Sequence, residues 1–330
     1  MKRENITLLN ALGMHRPQTD AELRQMLGNE IVSRYRCRQH DASDSANLVS
    51  LGETSLGHPV RVNRHYLEAD VRILTGLIEP HFFAGFSGGP KGVLPAIAGA
   101  ESVHTNHGFA MVNHPNATWG ITTGNPIWEE MREVALRTEP TFLLNVTINA
   151  ERQITGVFAG GMLAAHAAGC AFVKEHAMVA VAAPFDVVVT TNSGYPLDQN
   201  LYQSIKGVSA AASIVKDGGV IVLATACEDG LPDHGQYAAL LERGKTPAGV
   251  LEMISRPGFF AADQWTVQVQ AKIQSRAAIH VFSDGLSDEQ IHRAQLIPSR
   301  SVETTVVSLG SGVSICVMPE GPQTIAYVEK

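Results

Sequence analysis

Two histidines of the sequence each follow a short apolar run that predicts a buried β-strand. His15 comes just after residues 5–12, and His81 follows residues 70–78. Ligands of α/β sheets collect outside the carboxyl ends of the strands, so both imidazoles could converge on one ligand. Imidazole titrates near neutral pH, and a pair could give and take protons on opposite faces of a carbon atom. The alternative for each is an ordinary histidine of a surface loop.

A glycine-rich segment, FSGGPKG at residues 86–92, places a single lysine behind two adjacent glycines. Backbone N–H groups at Gly88 and Gly89 could approach an anion closely, because glycine carries no side chain. Lys91 could neutralise a phosphate or act as an amine nucleophile. The spacing is neither that of a Walker A loop nor that of a dinucleotide-binding GxGxxG motif. An exposed lysine in a strand-to-helix turn is the other interpretation.

His104 and His107 form an HxxH pair in the segment ESVHTNHGF. Residues three apart lie on one face of a helix, so one or both could bind a metal. Imidazole is a ligand that suits a borderline metal such as nickel or zinc. Most isolated pairs of this kind are simply polar helix surface, and that interpretation stays open here.

Three residues of the C-terminal half carry side chains that could face a pocket. Gln203 and Lys206 lie one helical turn apart in YPLDQNLYQSIKG, so both would project from the same end of a predicted helix. Lys206 could hold a carboxylate, and Trp265 in FFAADQW could line a pocket. The alternatives are a solvated helix lysine and a tryptophan of the core, which is the commoner role for that side chain.

These residues need elements to position them, and the sequence alternates short apolar runs with helical patterns. Such alternation indicates an α/β architecture, and 330 residues exceed what one hydrophobic core usually supports. We therefore expect two α/β domains with mainly parallel sheets and an active site in the cleft between them. The expected bounds are residues 1–175 joined by 318–330 for the N-terminal domain, and residues 184–317 for the C-terminal domain.

Local signals mark several of the elements. Thr19 and Glu22 form a capping-box pattern that starts a helix, and Gly28 ends it. Ser287 is expected to cap a later helix. TFLLNVTIN and ITGVFAG indicate a hairpin, while TTVVSLG and SICVMPEG predict two strands near the end of the chain.

Composition excludes several classes of protein. The net charge is −7, whereas a nucleic-acid binder usually presents a basic face. No apolar run approaches the roughly 18–20 residues that a membrane-spanning helix needs. The four cysteines are scattered singly, which argues against a structural zinc site or a disulfide framework. A cytoplasmic protein with reduced thiols is the expectation.

Taken in order, the motifs HRP, EPHFFAGFSGGPKGVLPAIAG, HTNHG, PLDQNLYQSIKG and DQW resemble the nickel-pincer nucleotide-dependent lactate racemase family of 2-hydroxyacid racemases and epimerases. The resemblance runs from about Leu12 to the C-terminus. It implies an isomerase that transfers hydride reversibly between a small, lactate-like 2-hydroxy acid and its cofactor. It also implies cofactor-synthesis proteins as partners, with no part for nucleic acid or membrane.

The resemblance implies a role for each candidate residue. It makes the N-terminal domain the cofactor-anchoring one, and Lys91 the covalent attachment point of the nickel-pincer nucleotide, Ni(II) pyridinium-3-thioamide-5-thiocarboxylic acid mononucleotide. The other implied roles are cofactor binding by Ser87, Gly88 and Gly89, nickel ligation by His107, acid/base catalysis by His15 and His81, and substrate binding by Gln203, Lys206 and Trp265.

One departure from the family pattern supports a second expectation. Family members carry a segment before the first histidine motif that supplies an arginine for the substrate carboxylate, whereas His15 lies almost at the start of this sequence. The chain is N-terminally short by this comparison. The alternative is therefore a catalytically impaired or non-catalytic protein that binds the same cofactor. A metal-dependent hydrolase ranks lower, because no HExxH motif or paired carboxylates accompany the histidines.

Overall fold

The computed structural model describes residues 2–232 and 235–329 of the chain. Its strands are β1 (Thr7–Asn10), β2 (Arg36–Gln39), β3 (Leu48–Glu53), β4 (Pro59–Asn63), β5 (Ile73–Leu77), β6 (Pro80–His81), β7 (Gly85–Phe86), β8 (Phe142–Ile148), β9 (Ile154–Gly160), β10 (Met178–Val181), β11 (Phe185–Thr191), β12 (Val215–Ala224), β13 (Ala278–Phe282), β14 (Ile297–Pro298), β15 (Ile315–Met318) and β16 (Ile325–Val328).

Its α-helices are α1 (Asp20–Leu27), α2 (Asn29–Arg34), α3 (Arg64–Leu67), α4 (Ala100–Asn106), α5 (Phe109–Asn113), α6 (Pro126–Arg137), α7 (Met162–Ala177), α8 (Leu201–Ala211), α9 (Tyr237–Gly244), α10 (Pro247–Ile254), α11 (Gln264–Gln274), α12 (Asp288–Arg293) and α13 (Val302–Ser308). Short 3₁₀ turns run over Arg3–Asn5, Ser45–Asn47 and Gly89–Gly92.

The chain divides into two compact units. Unit 1 comprises Met1–Ile78, Ser87–His107 and Pro126–Cys170, and unit 2 comprises Glu79–Phe86, Gly108–Asn125 and Ala171–Lys330. The sequence-based bounds stay a prediction, and they differ from these units in the middle and at the end of the chain. Residues 79–86, which include His81, and residues 108–125 belong to unit 2, whereas the sequence placed both segments in the N-terminal domain. Strand β16 pairs with β10 in parallel, and both belong to unit 2, whereas the sequence placed 318–330 with the N-terminal domain.

Unit 2 is built on a five-stranded sheet in the order β14-β13-β12-β11-β15. All its neighbouring strands run parallel. The central strands are rich in β-branched residues, and Val187, Val188 and Ile221 are completely or almost completely buried. Runs of this kind are typical of parallel strands covered on both faces. Each strand of such a sheet delivers its following loop to the same edge, and the loop after β11 leads into α8.

Unit 1 contains a three-stranded sheet in the order β5-β8-β9. Strands β5 and β8 are parallel, and β8 and β9 form the expected antiparallel hairpin. Side chains alternate across the sheet, so Leu74, Leu143 and Asn145 are buried on one face. The same unit has a parallel pair, β1 and β2, and an antiparallel pair, β3 and β4. The predicted α/β class with mainly parallel sheets is confirmed.

The structure confirms two of the predicted helix caps and contradicts one predicted strand. The capping box of Thr19 and Glu22 forms, as does the cap at Ser287. The predicted strand in TTVVSLG is wrong, because residues 302–308 form helix α13. Ser301 explains the difference, since its side chain accepts a hydrogen bond from the backbone N–H of Thr304 and so caps the helix. The β-branched residues that follow it favour strands, which is why their sequence predicts one. Among the described residues, no helix combines the length and the apolar character needed to cross a membrane.

Candidate active site

Lys91 lies in a tight loop, residues 87–92, which we call the lysine loop. Two consecutive glycines turn the chain there, with φ of +74° at Gly88 and +52° at Gly89. A 3₁₀ turn follows over Gly89–Gly92, and the Lys91 N–H donates to the Gly88 carbonyl at 3.1 Å. The positive φ values are ones that L side chains rarely adopt. Lys91 is half-buried and directly follows a turn that glycine adopts far more readily than other residues.

The space beside each glycine is filled by protein. A Cβ at Gly88 would lie 2.6 Å from Asn145 Oδ1, and one at Gly89 would lie 2.4 Å from the His166 ring. The Gly89 N–H already donates to Asn145 Oδ1 at 2.8 Å. The close approach that the two glycines allow therefore lets the loop pack against Asn145 and His166 of the same unit. Cofactor binding by Ser87, Gly88 and Gly89 stays a prediction.

His107 follows the last residue of α4 and is 4 % exposed. Burial, together with smaller effects of the nearby charges of Lys91 and His104, lowers its pKa to about 3. The ring is consequently neutral near pH 7, which is the form that binds a metal. The electrostatic effect of Lys91 also shows that the predicted anchor and the predicted ligand lie close together in unit 1.

His104 is less enclosed than its partner in the HxxH pair. It lies on α4 one turn earlier and is half-buried, and burial lowers the pKa of its ring. Among the described residues, no three His, Cys, Asp or Glu side chains form a group that could hold a metal ion. A nickel held mainly by cofactor atoms needs only one protein ligand, so a buried neutral His107 beside Lys91 fits the group that the sequence resemblance implies.

His15 lies in a turn after β1 and is exposed. Its N–H donates to the Leu12 carbonyl at 2.9 Å, and the Gly13 N–H donates to the Ala96 carbonyl at 2.9 Å. Gly13 has a φ of +56°, which lets the chain reverse directly after the strand. The turn holds His15 in unit 1, at the carboxyl end of a parallel strand as the sequence predicts.

His81 belongs to unit 2, in the short antiparallel pair of β6 and β7. The Ala84 N–H donates to His81 Nδ1 at 3.2 Å, and the Phe83 ring meets the imidazole edge-on with centroids 4.6 Å apart. The backbone contact favours the neutral ring with its proton on Nε2. The ring is thereby oriented by its own hairpin, and Nε2 is the nitrogen that would donate to a substrate oxygen.

Helix α8 carries Gln203 and Lys206 in its first two turns. The Asn200 side chain caps the helix by accepting from the Gln203 N–H at 3.1 Å. Burial lowers the pKa of Lys206, and the nearby charge of Glu79 opposes that effect. Glu79 immediately precedes the Pro80–His81 strand, so unit 2 places an acid/base candidate and a carboxylate-binding candidate near the same acidic side chain.

Trp265 is tied to α8 through a neighbouring tyrosine. Its Nε1 donates to the Tyr202 hydroxyl oxygen at 3.0 Å. Burial raises the pKa of Tyr202 to about 12, with a further contribution from Asp263, so the hydroxyl stays protonated near neutral pH. The contact brings the first turn of α11 to the first turn of α8, and with it Trp265 to the neighbourhood of Gln203.

Sequence reasoning missed four residues of these groups. Asn145 had a signal, because a lone amide interrupts the apolar run of TFLLNVTIN. His166 had none, since it lies in a helix of small residues far along the chain from the lysine loop. Glu79 and Tyr202 lie inside two of the quoted motifs. Only the fold shows that the charge of Glu79 acts on Lys206 and that the Tyr202 hydroxyl accepts a hydrogen bond from Trp265.

The sequence is similar to family models and to known proteins of one family. A family model of the lactate racemase N-terminal domain matches residues 1–120, and one of the lactate racemase C-terminal domain matches residues 180–326. The lactate racemase of Thermoanaerobacterium thermosaccharolyticum is 36% identical over 330 residues, which cover 98% of this chain and 77% of that protein. The lactate racemase of Lactiplantibacillus plantarum is 35% identical over 321 residues, which cover 96% of this chain and 76% of that protein.

Solved structures agree with the sequence comparison. The lactate racemase apoprotein from Thermoanaerobacterium thermosaccharolyticum superposes with a TM-score of 0.93 at 35% identity, covering 98% of this chain and 78% of that one. A structural-genomics crystal structure from Thermotoga maritima shares the fold, with a TM-score of 0.76 at 18% identity over 98% of this chain and 86% of that one. The chain belongs to the lactate racemase family of isomerases.

Proposed function

We propose that this protein racemises or epimerises a small, lactate-like 2-hydroxy acid with a nickel-pincer nucleotide attached to Lys91. The observation that carries the proposal is a buried His107 in unit 1 close enough to Lys91 for the lysine charge to lower its pKa. A lysine amine can form a covalent bond to a cofactor, and a neutral imidazole can ligate the cofactor's nickel. Acceptance and return of the C2 hydride is the chemistry that the group supplies when bound.

The protein's own part in the reaction is proton transfer and orientation. We assign proton exchange with the 2-hydroxyl group to His15 and His81, because a product formed on either face of a planar 2-keto acid needs a proton donor for each enantiomer. His81 has its ring oriented by the Ala84 N–H. Its Nε2 proton is then directed away from the backbone and toward a bound oxygen.

Substrate binding is assigned to unit 2. The ammonium of Lys206 lies in desolvated surroundings that lower its pKa, and an ionic hydrogen bond to a carboxylate is strong in such surroundings. Gln203 offers an amide to the hydroxyl or carboxylate oxygens, and Trp265 limits the space beside them. These roles describe a small acid with one carboxylate and an adjacent hydroxyl group.

The test is to produce the protein together with nickel-pincer cofactor-synthesis proteins, which are its proposed partners. We expect peptide mass spectrometry to find the nucleotide adduct on Lys91, nickel in stoichiometric amount, and chiral chromatography to show interconversion of one 2-hydroxy acid among lactate, malate and aryl-lactates. Lys91→Arg should lose the adduct, while Lys174→Arg, an exposed lysine of α7, should keep it. Wild-type protein without adduct and without nickel would refute the proposal, and adduct without turnover on any acid would leave a cofactor-binding protein.

A further inference from the structure

We propose that Asn145 and His166 are positioning residues that clamp the lysine loop, so that Lys91 is presented for covalent attachment. The two residues come from different elements of unit 1, strand β8 and helix α7. They bind two backbone groups of the loop on either side of Gly88. The consequence for attachment rests on the proposed function, whereas the clamp itself is a property of the protein alone.

Asn145 is a polar side chain in the middle of an apolar strand. It is 1 % exposed, with the fully buried Leu143 two residues before it on the same face of β8. Burial of an amide costs free energy unless its atoms find hydrogen-bond partners. Its Oδ1 accepts from the Gly89 N–H at 2.8 Å, and its Nδ2 donates to the Leu144 carbonyl at 3.2 Å. The buried amide therefore serves the loop rather than a neighbouring strand.

The neighbours of Asn145 are shaped to admit this contact. Gly76 is its partner in the register of β5, and a Cβ at that glycine would lie 3.5 Å from Asn145 Nδ2, which is an ordinary contact, so the fit to the amide depends on Gly88. A Cβ at Gly88 would lie 2.6 Å from Asn145 Oδ1, closer than a Cβ atom approaches another heavy atom. The Asn145 amide can therefore occupy its place only because Gly88 has no side chain.

His166 holds the other side of the loop. It is 1 % exposed, and its Nε2 donates to the Ser87 carbonyl at 2.9 Å. The ring fills the place of a Gly89 side chain, and the Trp128 indole stacks near it with centroids 6.2 Å apart. Burial lowers the pKa of His166, so the neutral ring keeps its proton on the nitrogen that binds Ser87.

Together the two side chains fix consecutive peptide groups just before Lys91. Glycine has more backbone freedom to lose than any other residue, and a covalent attachment gains rate when its nucleophile is already oriented. Hydrogen bonds to Ser87 and Gly89 restrict that freedom without occupying the lysine itself. If the two side chains only stabilised unit 1 as a whole, removing them would loosen the whole unit and not the lysine loop in particular.

Hydrogen exchange on the free, full-length protein separates the two roles. In Asn145→Leu we expect the amides of residues 87–92 to exchange at least tenfold faster than in wild type, with strand β4 of the same unit as an internal reference whose exchange stays unchanged. Asn145→Asp keeps an oxygen acceptor and should restore slow exchange. Thr147→Val is the matched control, because Thr147 is buried on the same strand face and bonds Thr155 Oγ1 at 2.8 Å instead of the loop.

The same comparison applies to His166. His166→Phe should accelerate exchange in the loop, and His166→Gln, whose amide can donate to Ser87, should recover much of the protection. If Asn145→Leu does not fold, Asn145→Ala takes its place, because it removes the acceptor without adding bulk. Unchanged exchange of 87–92 in the Asn145 and His166 variants, or equal acceleration in Thr147→Val, would overturn the clamp.

Cofactor loading gives a second readout. After production with the cofactor-synthesis proteins, we expect at least tenfold less Lys91 adduct in Asn145→Leu than in Thr147→Val at equal amounts of folded protein. Equal loading of the two variants would contradict a positioning role. If wild type itself takes no adduct, the proposed function fails, while the exchange experiment still decides whether the clamp exists.

Discussion

At the scale of single residues, Lys206 is the side chain that we propose as the ligand of the substrate carboxylate. Its ammonium is enclosed enough for burial to lower its pKa, and the Glu79 charge counteracts this. We expect Lys206→Met to lower kcat/KM of the loaded enzyme about 100-fold, since a hydrogen bond to a charged group contributes up to ~3 kcal/mol. The thermal unfolding midpoint should change little, because the desolvation cost removed with the ammonium is offset by the loss of its attraction to Glu79.

Racemisation rates followed by polarimetry test this expectation, with Lys174→Met as the matched exposed control. The control should keep wild-type kcat/KM and the same adduct on Lys91. A Lys206→Met enzyme that retains wild-type kcat/KM would remove Lys206 from the substrate site. A variant that instead loses its adduct would show that the lysine acts on the cofactor.

At the scale of elements, His40 joins the end of β2 to the end of β4 within unit 1. It is 2 % exposed. Its Nε2 donates to the Ala98 carbonyl at 2.9 Å, and its Nδ1 accepts from Asn63 Nδ2 at 3.1 Å. A second ring proton would face the amide hydrogens of Asn63, so this arrangement holds a neutral ring. Burial lowers the pKa of His40, while Ala98 and the Asp41 charge oppose the effect.

The lowered pKa gives a direction to the pH dependence of stability. The unfolded chain binds a proton at His40 near pH 6.5 and the folded chain binds it only at lower pH, so the free energy of unfolding decreases as pH falls below 6.5. We expect the unfolding midpoint to drop between pH 7 and pH 5, and His40→Gln to reduce that drop by about 2 °C or more. His292→Gln, an exposed histidine of α12, should leave the drop unchanged. Identical drops in all three proteins would disprove the contribution of His40.

The elements also show what a sequence can and cannot predict. Capping at Thr19 and Ser287 was predicted because the signal lies within four residues of chain. Helix α13 was missed because its valines and threonines favour strands, and the cap at Ser301 outweighed them. The motif around Lys91 identified the loop, but its contacts with Asn145 and His166 join distant parts of unit 1. No local pattern encodes a contact of that kind, so only the fold reveals it.

At the scale of the whole molecule, the proposed chemistry is divided between two compact units. Lys91 and His107 belong to unit 1, and Gln203, Lys206 and Trp265 belong to unit 2. A ligand stabilises the folded segment that binds it by RT ln(1 + [L]/Kd), or about 2.7 kcal/mol at a hundredfold excess over Kd. Hydrogen exchange should therefore report cofactor and substrate in different segments of the chain.

We expect attachment of the cofactor to slow exchange of residues 87–107, and lactate at a hundredfold excess over its Kd to slow exchange of residues 200–210 by about 100-fold. Peptide-level mass spectrometry of unloaded, loaded and lactate-saturated protein measures both effects. The two variants serve as reciprocal controls, because Lys91→Arg should abolish the cofactor effect on 87–107, whereas Lys206→Met should abolish the lactate effect on 200–210. Lactate protection that survives Lys206→Met, or cofactor-dependent protection that survives Lys91→Arg, would show that the residues have been assigned to the wrong ligand.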